Sequence, residues 1–295
     1  MTAPDAGAVE RDVVDRSKRP NPIQRLVLVW KYRELLRNLI RKELKVKYKN
    51  SVLGFVWTLL NPMLYLVVFT IVFTQLLDNG VDDFAVFFLS GLLVWTLFST
   101  SLGGACSSIV GNASLVQKVW FPREILAVAA IGAALMHFFF QATVLVSALV
   151  IFQRAPDWQM LPLAVMALLT TLVLSTGIGL LLAAWNVYLR DVQHLLELAL
   201  LAWFWLSAVV YPFKVISDRL AESGVSSTWA LLNPVIPIVI TFQKAVYNPS
   251  DDTVPTYGFG WYFTVLAITL AASIALLMIG LVVFGRLEDD FAEEI

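Results

Sequence analysis

The side chains able to do acid–base, nucleophilic or metal chemistry outside the ordinary surface charges are few: His137 and His194, the single Cys106, and two aspartate pairs, Asp82-Asp83 and Asp251-Asp252. One thiol forms neither an intrachain disulfide nor a thiolate cluster, and two separated histidines do not frame a zinc site. The aspartate pairs have the oxygen donors for a hard cation or the basicity for proton abstraction. No lysine follows a glycine anywhere, so the GxxxxGK phosphate loop is absent and the chain is not expected to hydrolyse ATP itself. The best candidate for contact with another protein is Leu115 to Leu126, LVQKVWFPREIL. There Leu115, Lys118, Val119, Trp120, Phe121, Pro122, Arg123 and Glu124 combine large apolar and charged side chains, the composition of an interface. The same aromatics would also suit a membrane headgroup belt.

The elements that must position these residues follow from hydropathy. Of 295 residues, 59% are hydrophobic and 15% charged, and the mean hydropathy is +0.76; soluble domains carry roughly 25% charge. A chain this short has too much surface to hide that many apolar side chains in one water-soluble core, which excludes a soluble enzyme. The net charge of -1 gives no reason to expect nucleic acid. Residues 1–22 are polar, lack the apolar core of a targeting peptide, and are expected to form a disordered tail. A helix crosses the roughly 30 Å of hydrocarbon with about 20 apolar residues. Six uncharged runs fit within residues 50–285: Asn50 to Leu77, Phe84 to Gln117, Ile125 to Gln153, Trp158 to Leu189, Leu198 to Phe213 and Thr253 to Gly285. A seventh, Val225 to Gln243, is broken at Asn233-Pro234 and Pro237, because proline removes a helix hydrogen bond. Within a region spanning residues 214–258, this run predicts short re-entrant or interfacial helices between spans five and six. The expected fold is therefore an all-α integral membrane protein of six transmembrane helices.

Charge sets the orientation. The chain ahead of the first span and alternate loops together hold 17 lysines and arginines, and the remaining loops hold 4, which predicts both termini in the cytoplasm. Residues 112–124 then form a cytoplasmic loop and residues 286–295 a cytoplasmic tail. Before the first span, residues 23–49 read as a basic amphipathic helix. Tyr32, Leu35, Leu36, Leu39, Ile40 and Leu44 share a face flanked by Arg33, Arg37, Arg41 and Lys45. Burial of that face at an anionic inner leaflet explains both stripes. The span interiors carry no acids or lysines, whereas ion-coupled carriers need such groups. His137, beside Phe138, Phe139 and Phe140, fits a packed or hydrogen-bonded histidine, or a proton relay. Any uphill transport must draw its energy from a partner.

The motifs resemble, in order along nearly the whole chain, the membrane permease subunit of ATP-binding-cassette exporters for O-antigen, teichoic acid and related cell-surface polysaccharides. Arg41 to Trp57 (RKELKVKYKNSVLGFVW) with Asn61-Pro62 is similar to that family's passage from interfacial helix to first span. LVQKVWFPREIL is similar to its first cytoplasmic loop, Asn186 to Val192 (NVYLRDV) to its second, Leu231 to Pro237 (LLNPVIP) to its outer gate, and FGRLEDDFAEEI to its C-terminus. Ala208 departs from the pattern, standing where the family often has proline.

The resemblance implies a homodimer in the bacterial inner membrane, with two separate ATPase subunits that bind ATP and Mg and grip the loop around Val119 to Arg123. It implies no cofactor in this chain, and a polysaccharide on a polyprenyl diphosphate lipid as substrate. Arg41, Lys42, Lys45, Lys47 and Lys49 are then candidates to attract the diphosphate, or ordinary anchors to anionic lipid. Aromatics crowd the spans, among them Phe55, Trp57, Tyr65, Phe69 and Phe73 in the first. The candidates to line a sugar path are Phe69, Trp95, Phe98, Trp203, Trp205 and Tyr211, and the outer-gate candidates are Asn233, Pro234 and Pro237. Two other classes fit the composition: an exporter of the same architecture for a drug or small lipid, and a membrane glycosyltransferase whose acids would be the aspartate pairs.

Overall fold

A computed structural model describes residues 21–49, 56–76, 80–248 and 253–295. Residues 1–20, Asn50 to Phe55, Asp78, Asp251-Asp252 and the side chain of Lys47 lie outside the described residues. Within them the chain is helical and contains no strand. Five helices are long and apolar enough to cross a membrane: α3 (Val56–Thr70) with the π-helical turn that extends it (Ile71–Leu76), α4 (Phe84–Ser107), α6 (Glu124–Ile151), α7 (Leu161–Tyr188) and α11 (Phe259–Leu287). They are apolar all round, as helices without a water-facing side must be. The remaining helices are α1 (Pro22–Lys31), α2 (Arg33–Tyr48), α5 (Ala113–Lys118), α8 (Asp191–Trp205), α9 (Phe213–Glu222), α10 (Val235–Val246) and α12 (Phe291–Glu294).

Helix α4 is the axis of the bundle, buried along most of its length from Phe84 to Cys106. α3, α6, α7, α8 and α10 pack around it. Its aromatics stack against α3, with the rings of Phe88 and Phe69 4.7 Å apart and those of Phe84 and Phe73 5.3 Å apart. α7 and α11 approach most closely where glycine faces glycine. A Cβ on Gly280 would stand 2.6 Å from the Gly177 carbonyl oxygen, so no larger residue fits. In a bilayer such close backbone approach supplies the dispersion energy that lipid exclusion cannot.

Between α7 and α11 the path differs from six simple crossings. The fifth run, expected from Leu198 to Phe213, stops as a helix at Trp205 after 15 residues, about 22 Å. The chain then turns through buried Ser207 to Val210, with Ala208 at φ 51°. Proline, fixed near -65°, cannot hold that conformation, so here the turn itself makes the break. α8 reaches only the middle of α4, where Phe204 meets Trp95 and Trp203 meets Phe98 edge-on at 5.1 Å. After α9 and a 3-10 turn (Ser227–Leu232), α10 starts beside Trp203. It finishes at the far end, where the Asp157 amide donates to Ala245 O and the Tyr247 hydroxyl to Asp82 O. Its 12 residues measure about 18 Å, short of a crossing.

The amphipathic segment is also divided, into α1 and α2 at Tyr32. Its expected apolar face covers protein rather than lipid. Leu39 is buried, and Tyr32, Leu35, Leu36 and Ile40 pack on a second core cluster with Ile125, Ala129 and Phe284. Gly132 of α6 makes the room, since a Cβ there would meet Ile40 at 2.6 Å. The face left open is on α1, where Ile23, Leu26, Val27 and Trp30 recur at helical spacing and are exposed.

Candidate functional site: the basic end of the bundle

Three separate stretches meet at the end of the bundle where α1 and α2 lie: the residues before α6, the turn between α7 and α8, and the C-terminal segment. Arg25 of α1 joins the first and the last of these. Its guanidinium donates to Glu124 Oε1 at the start of α6 and, at 2.6 Å, to Glu288 Oε1 just past α11. The side chains of Arg25 and Glu124 are 5% and 2% exposed. Burial works to lower the Arg25 pKa, but the Glu288 hydrogen bond and the charges of both carboxylates outweigh it, and the group is held above its ordinary value. Gly285 admits the guanidinium, since a Cβ there would lie 2.5 Å from it.

The next residue on the loop repeats the theme. Arg123 donates to Glu288 O and lies 5.9 Å over the Phe291 ring. Phe291 is fully buried against Phe284 and Tyr188, and the Tyr188 hydroxyl donates to Leu287 O at 2.9 Å. Lys42 Nζ of α2 donates to Asn112 Oδ1 at the other end of the loop. The segment 112–124, α5 and the loop after it, is thus tied at both ends, which holds whatever it displays in one orientation.

What it displays is narrower than expected. Val119 and Trp120 project, the latter 68% exposed, and Lys118 is exposed beside them. Phe121 does not: it is 5% exposed and belongs to the second core cluster, so it anchors the loop from below. Leu115, Pro122 and Arg123 are half-buried and Glu124 is buried. In an extended segment neighbouring side chains point opposite ways, and of the two adjacent aromatics only Trp120 faces outward. Arg41, Lys42 and Lys45 on α2 and Lys49 just past its end are exposed, and Lys42 reaches the loop segment at Asn112.

The candidate sugar-path aromatics do not form one surface. Trp95 and Phe98 are buried in the core, Phe69, Trp203 and Tyr211 are half-buried around it, and only Trp205 is exposed. Tyr211 turns its hydroxyl to Trp205 O. The outer-gate residues do meet. Asn233 Oδ1 accepts from Trp203 Nε1 at 2.8 Å and from Val235 N at 3.1 Å, while Nδ2 donates to Leu206 O at 2.9 Å. One amide therefore ties the end of α8 to the start of α10. Pro234 precedes α10 and Pro237 is buried in its first turn, where a missing N–H leaves nothing unpaired. Asp83 is engaged by Arg154 at the far end, and that carboxylate raises the Arg154 pKa by hydrogen bonding.

Sequence reasoning passed over Arg25, Glu288 and Phe291. Arg25 sits in an apolar helix and Phe291 follows three acids, both faint signs of burial. No spacing reveals that carboxylates 99 and 263 positions away from Arg25 share its guanidinium.

The profile of the ABC-2 type transporter family matches residues 34–247, from α2 to the end of α10. An O-antigen export system permease protein of Myxococcus xanthus is 32% identical over 90% of this chain and 97% of its own length. One from Klebsiella pneumoniae is 24% identical over 88% and 94%. A polysialic acid transport protein of Escherichia coli is 22% identical over 70% and 79%. With five apolar helices of crossing length and a profile that runs through most of them, the chain belongs to the ABC-2 type transporter family as an integral membrane permease.

Proposed function

We propose that the chain is the transmembrane subunit of an ATP-driven exporter that moves a polyprenyl-diphosphate-linked polysaccharide out of the bacterial cytoplasm. It works as a homodimer with two separate ATPase subunits, in the inner membrane, with both termini in the cytoplasm. The observation that carries this reading is the near end-to-end match to an O-antigen export permease. The rigidly held loop, with Trp120 outward, is the surface on which a partner's ATP-driven motion would push. Movement there reaches α1 and α11 through Arg25 and Glu288, so the loop cannot shift without the helices it is pinned to.

Further along the bundle, the Asn233 clamp at the middle of α4 and short α10, which runs from it to the far end, suit an outer gate. A helix that stops midway along α4 can move without breaking the hydrogen-bond ladder of a full span. A channel wide enough for a glycan is more naturally formed between two copies than inside one packed bundle, and two-fold symmetry is the commonest closed arrangement. Deleting the gene in its host should strand lipid-linked glycan inside the cell, and the wild-type gene should restore it to the surface. Surface glycan at normal levels in the deletion strain would refute the assignment.

A further inference from the structure

A cavity of about 180 Å³ lies between α3, α4 and α6 in the middle third of the latter two helices, the depth of the bilayer centre. Its walls are polar in register. Trp57, Asn61 and Tyr65 recur every four residues along α3, Thr96 and Thr100 do so on α4, and His137 and Gln141 on α6; residues at that spacing share a helix face. The inner half of α3 is held off α4, leaving Trp57, Asn61, Tyr65 and Thr100 exposed. The Thr100 hydroxyl donates to Thr96 O within its own helix, but the Asn61 amide and the Tyr65 hydroxyl, open to hydrocarbon, would lose hydrogen bonds to water with nothing in return. Such a convergence at mid-bilayer is therefore expected to serve a polar occupant rather than lipid tails.

The chemistry narrows that occupant. Phe138, Trp57 and Tyr65 offer aromatic faces, and Asn61 offers both donors and an acceptor, while Thr100, whose hydroxyl donates to Thr96 O, and Gln141, whose amide donates to Thr58 O, still offer oxygen acceptors. Among the described residues the lining holds no Asp, Glu, Lys or Arg, and Asn50 to Phe55, the neighbouring stretch outside them, is uncharged in the sequence. At this size the space is below the roughly 300–1,000 Å³ of drug-sized sites, so it takes one ring, not an oligosaccharide. We infer that this cavity is a contact subsite for one neutral pyranose unit of the transported glycan, with Trp57 and Tyr65 as stacking faces and Asn61 and Thr100 as hydroxyl partners. An acidic sugar finds no cation there, and the lipid diphosphate must be held elsewhere. The inference rests on the glycan-export reading. It also moves the sugar-contacting role from Trp95 and Phe98, which the core absorbs, to the inner half of α3.

The test compares apolar replacements in the full transporter, permease with its ATPase, expressed in the deletion strain. Asn61→Leu and Thr100→Val remove hydrogen-bonding groups without adding charge, and a lipid-filled cavity would tolerate them. Losing two hydrogen bonds to the passing sugar should slow the appearance of surface glycan about tenfold, with co-purification of the ATPase unchanged. Trp57→Phe should keep most export and Trp57→Leu should lose it, a contrast between two apolar residues that separates ring stacking from general packing. Wild-type export by the assembled Asn61→Leu/Thr100→Val protein, or equal export by Trp57→Phe and Trp57→Leu, would overturn the subsite. Failure of the wild-type gene to restore surface glycan would instead refute the export reading itself.

Discussion

Replacing Arg25 by methionine removes a buried guanidinium while keeping most of its volume. Glu124, with its side chain 2% exposed, then loses its ion-pair partner, whereas Glu288, 21% exposed, can still turn toward water. Stranding one buried carboxylate costs about 3–5 kcal/mol. The loss should fall on α1, the loop before α6 and the C-terminal segment together, because all three converge on this one side chain. Arg25→Met/Glu124→Leu removes the stranded charge and should recover most of the deficit, since a buried pair replaced by apolar residues is often near neutral. Denaturant unfolding of the protein in lipid nanodiscs, followed by tryptophan fluorescence, measures the two singles and the double. The cycle yields the coupling between the residues. A cost below about 1 kcal/mol for Arg25→Met, or a double variant no more stable than the single, would refute the idea that this ion pair fixes the loop.

Trp120→Ala should change stability by no more than about 0.5 kcal/mol yet weaken co-purification with the ATPase by about 2 kcal/mol or more. Phe121→Ala should do the reverse at first, costing about 3–5 kcal/mol of stability through a core cavity, which thermal unfolding separates from binding. Gly285→Ala drives a methyl group into the Arg25 guanidinium and should cost about 1–3 kcal/mol by overpacking, reported by the same nanodisc unfolding assay. Ala208→Gly should be neutral or stabilising because the residue holds φ 51°, a conformation costing a non-glycine residue about 1–2 kcal/mol. Ala208→Pro should prevent correct folding, seen as aggregation on size-exclusion chromatography.

Much of the architecture was legible because bilayer crossing is a constraint on length and hydropathy, which a single segment satisfies by itself. The runs that became α4, α6, α7 and α11 are of that kind. The fifth run was not, since Ser207 to Val210 is as apolar as a helix and nothing in its composition marks the left-handed turn at Ala208. Asn233-Pro234 and Pro237 did mark a break, because proline acts on its own backbone. The site was legible by type and not by direction. Composition placed Trp120 and Phe121 on one loop, but which of two adjacent rings points outward depends on backbone torsion. The expected lipid-facing stripe of residues 32–44 turned out to cover α6, as protein and lipid are equally good covers for an apolar face. Long-range joins such as Arg25 with Glu124 and Glu288 leave no periodic trace at all.

The central claim is tested most directly by reconstituting the purified chain with its separate ATPase in liposomes that carry a polyprenyl-diphosphate-linked glycan on one leaflet. Glycan reaching the opposite leaflet is then scored by its access to a glycan-cleaving enzyme. The account predicts translocation only when the chain, the ATPase and ATP are all present, and its loss in Trp120→Ala, whose fold is intact. Translocation without the ATPase, or glycosyl transfer by the chain alone, would contradict it.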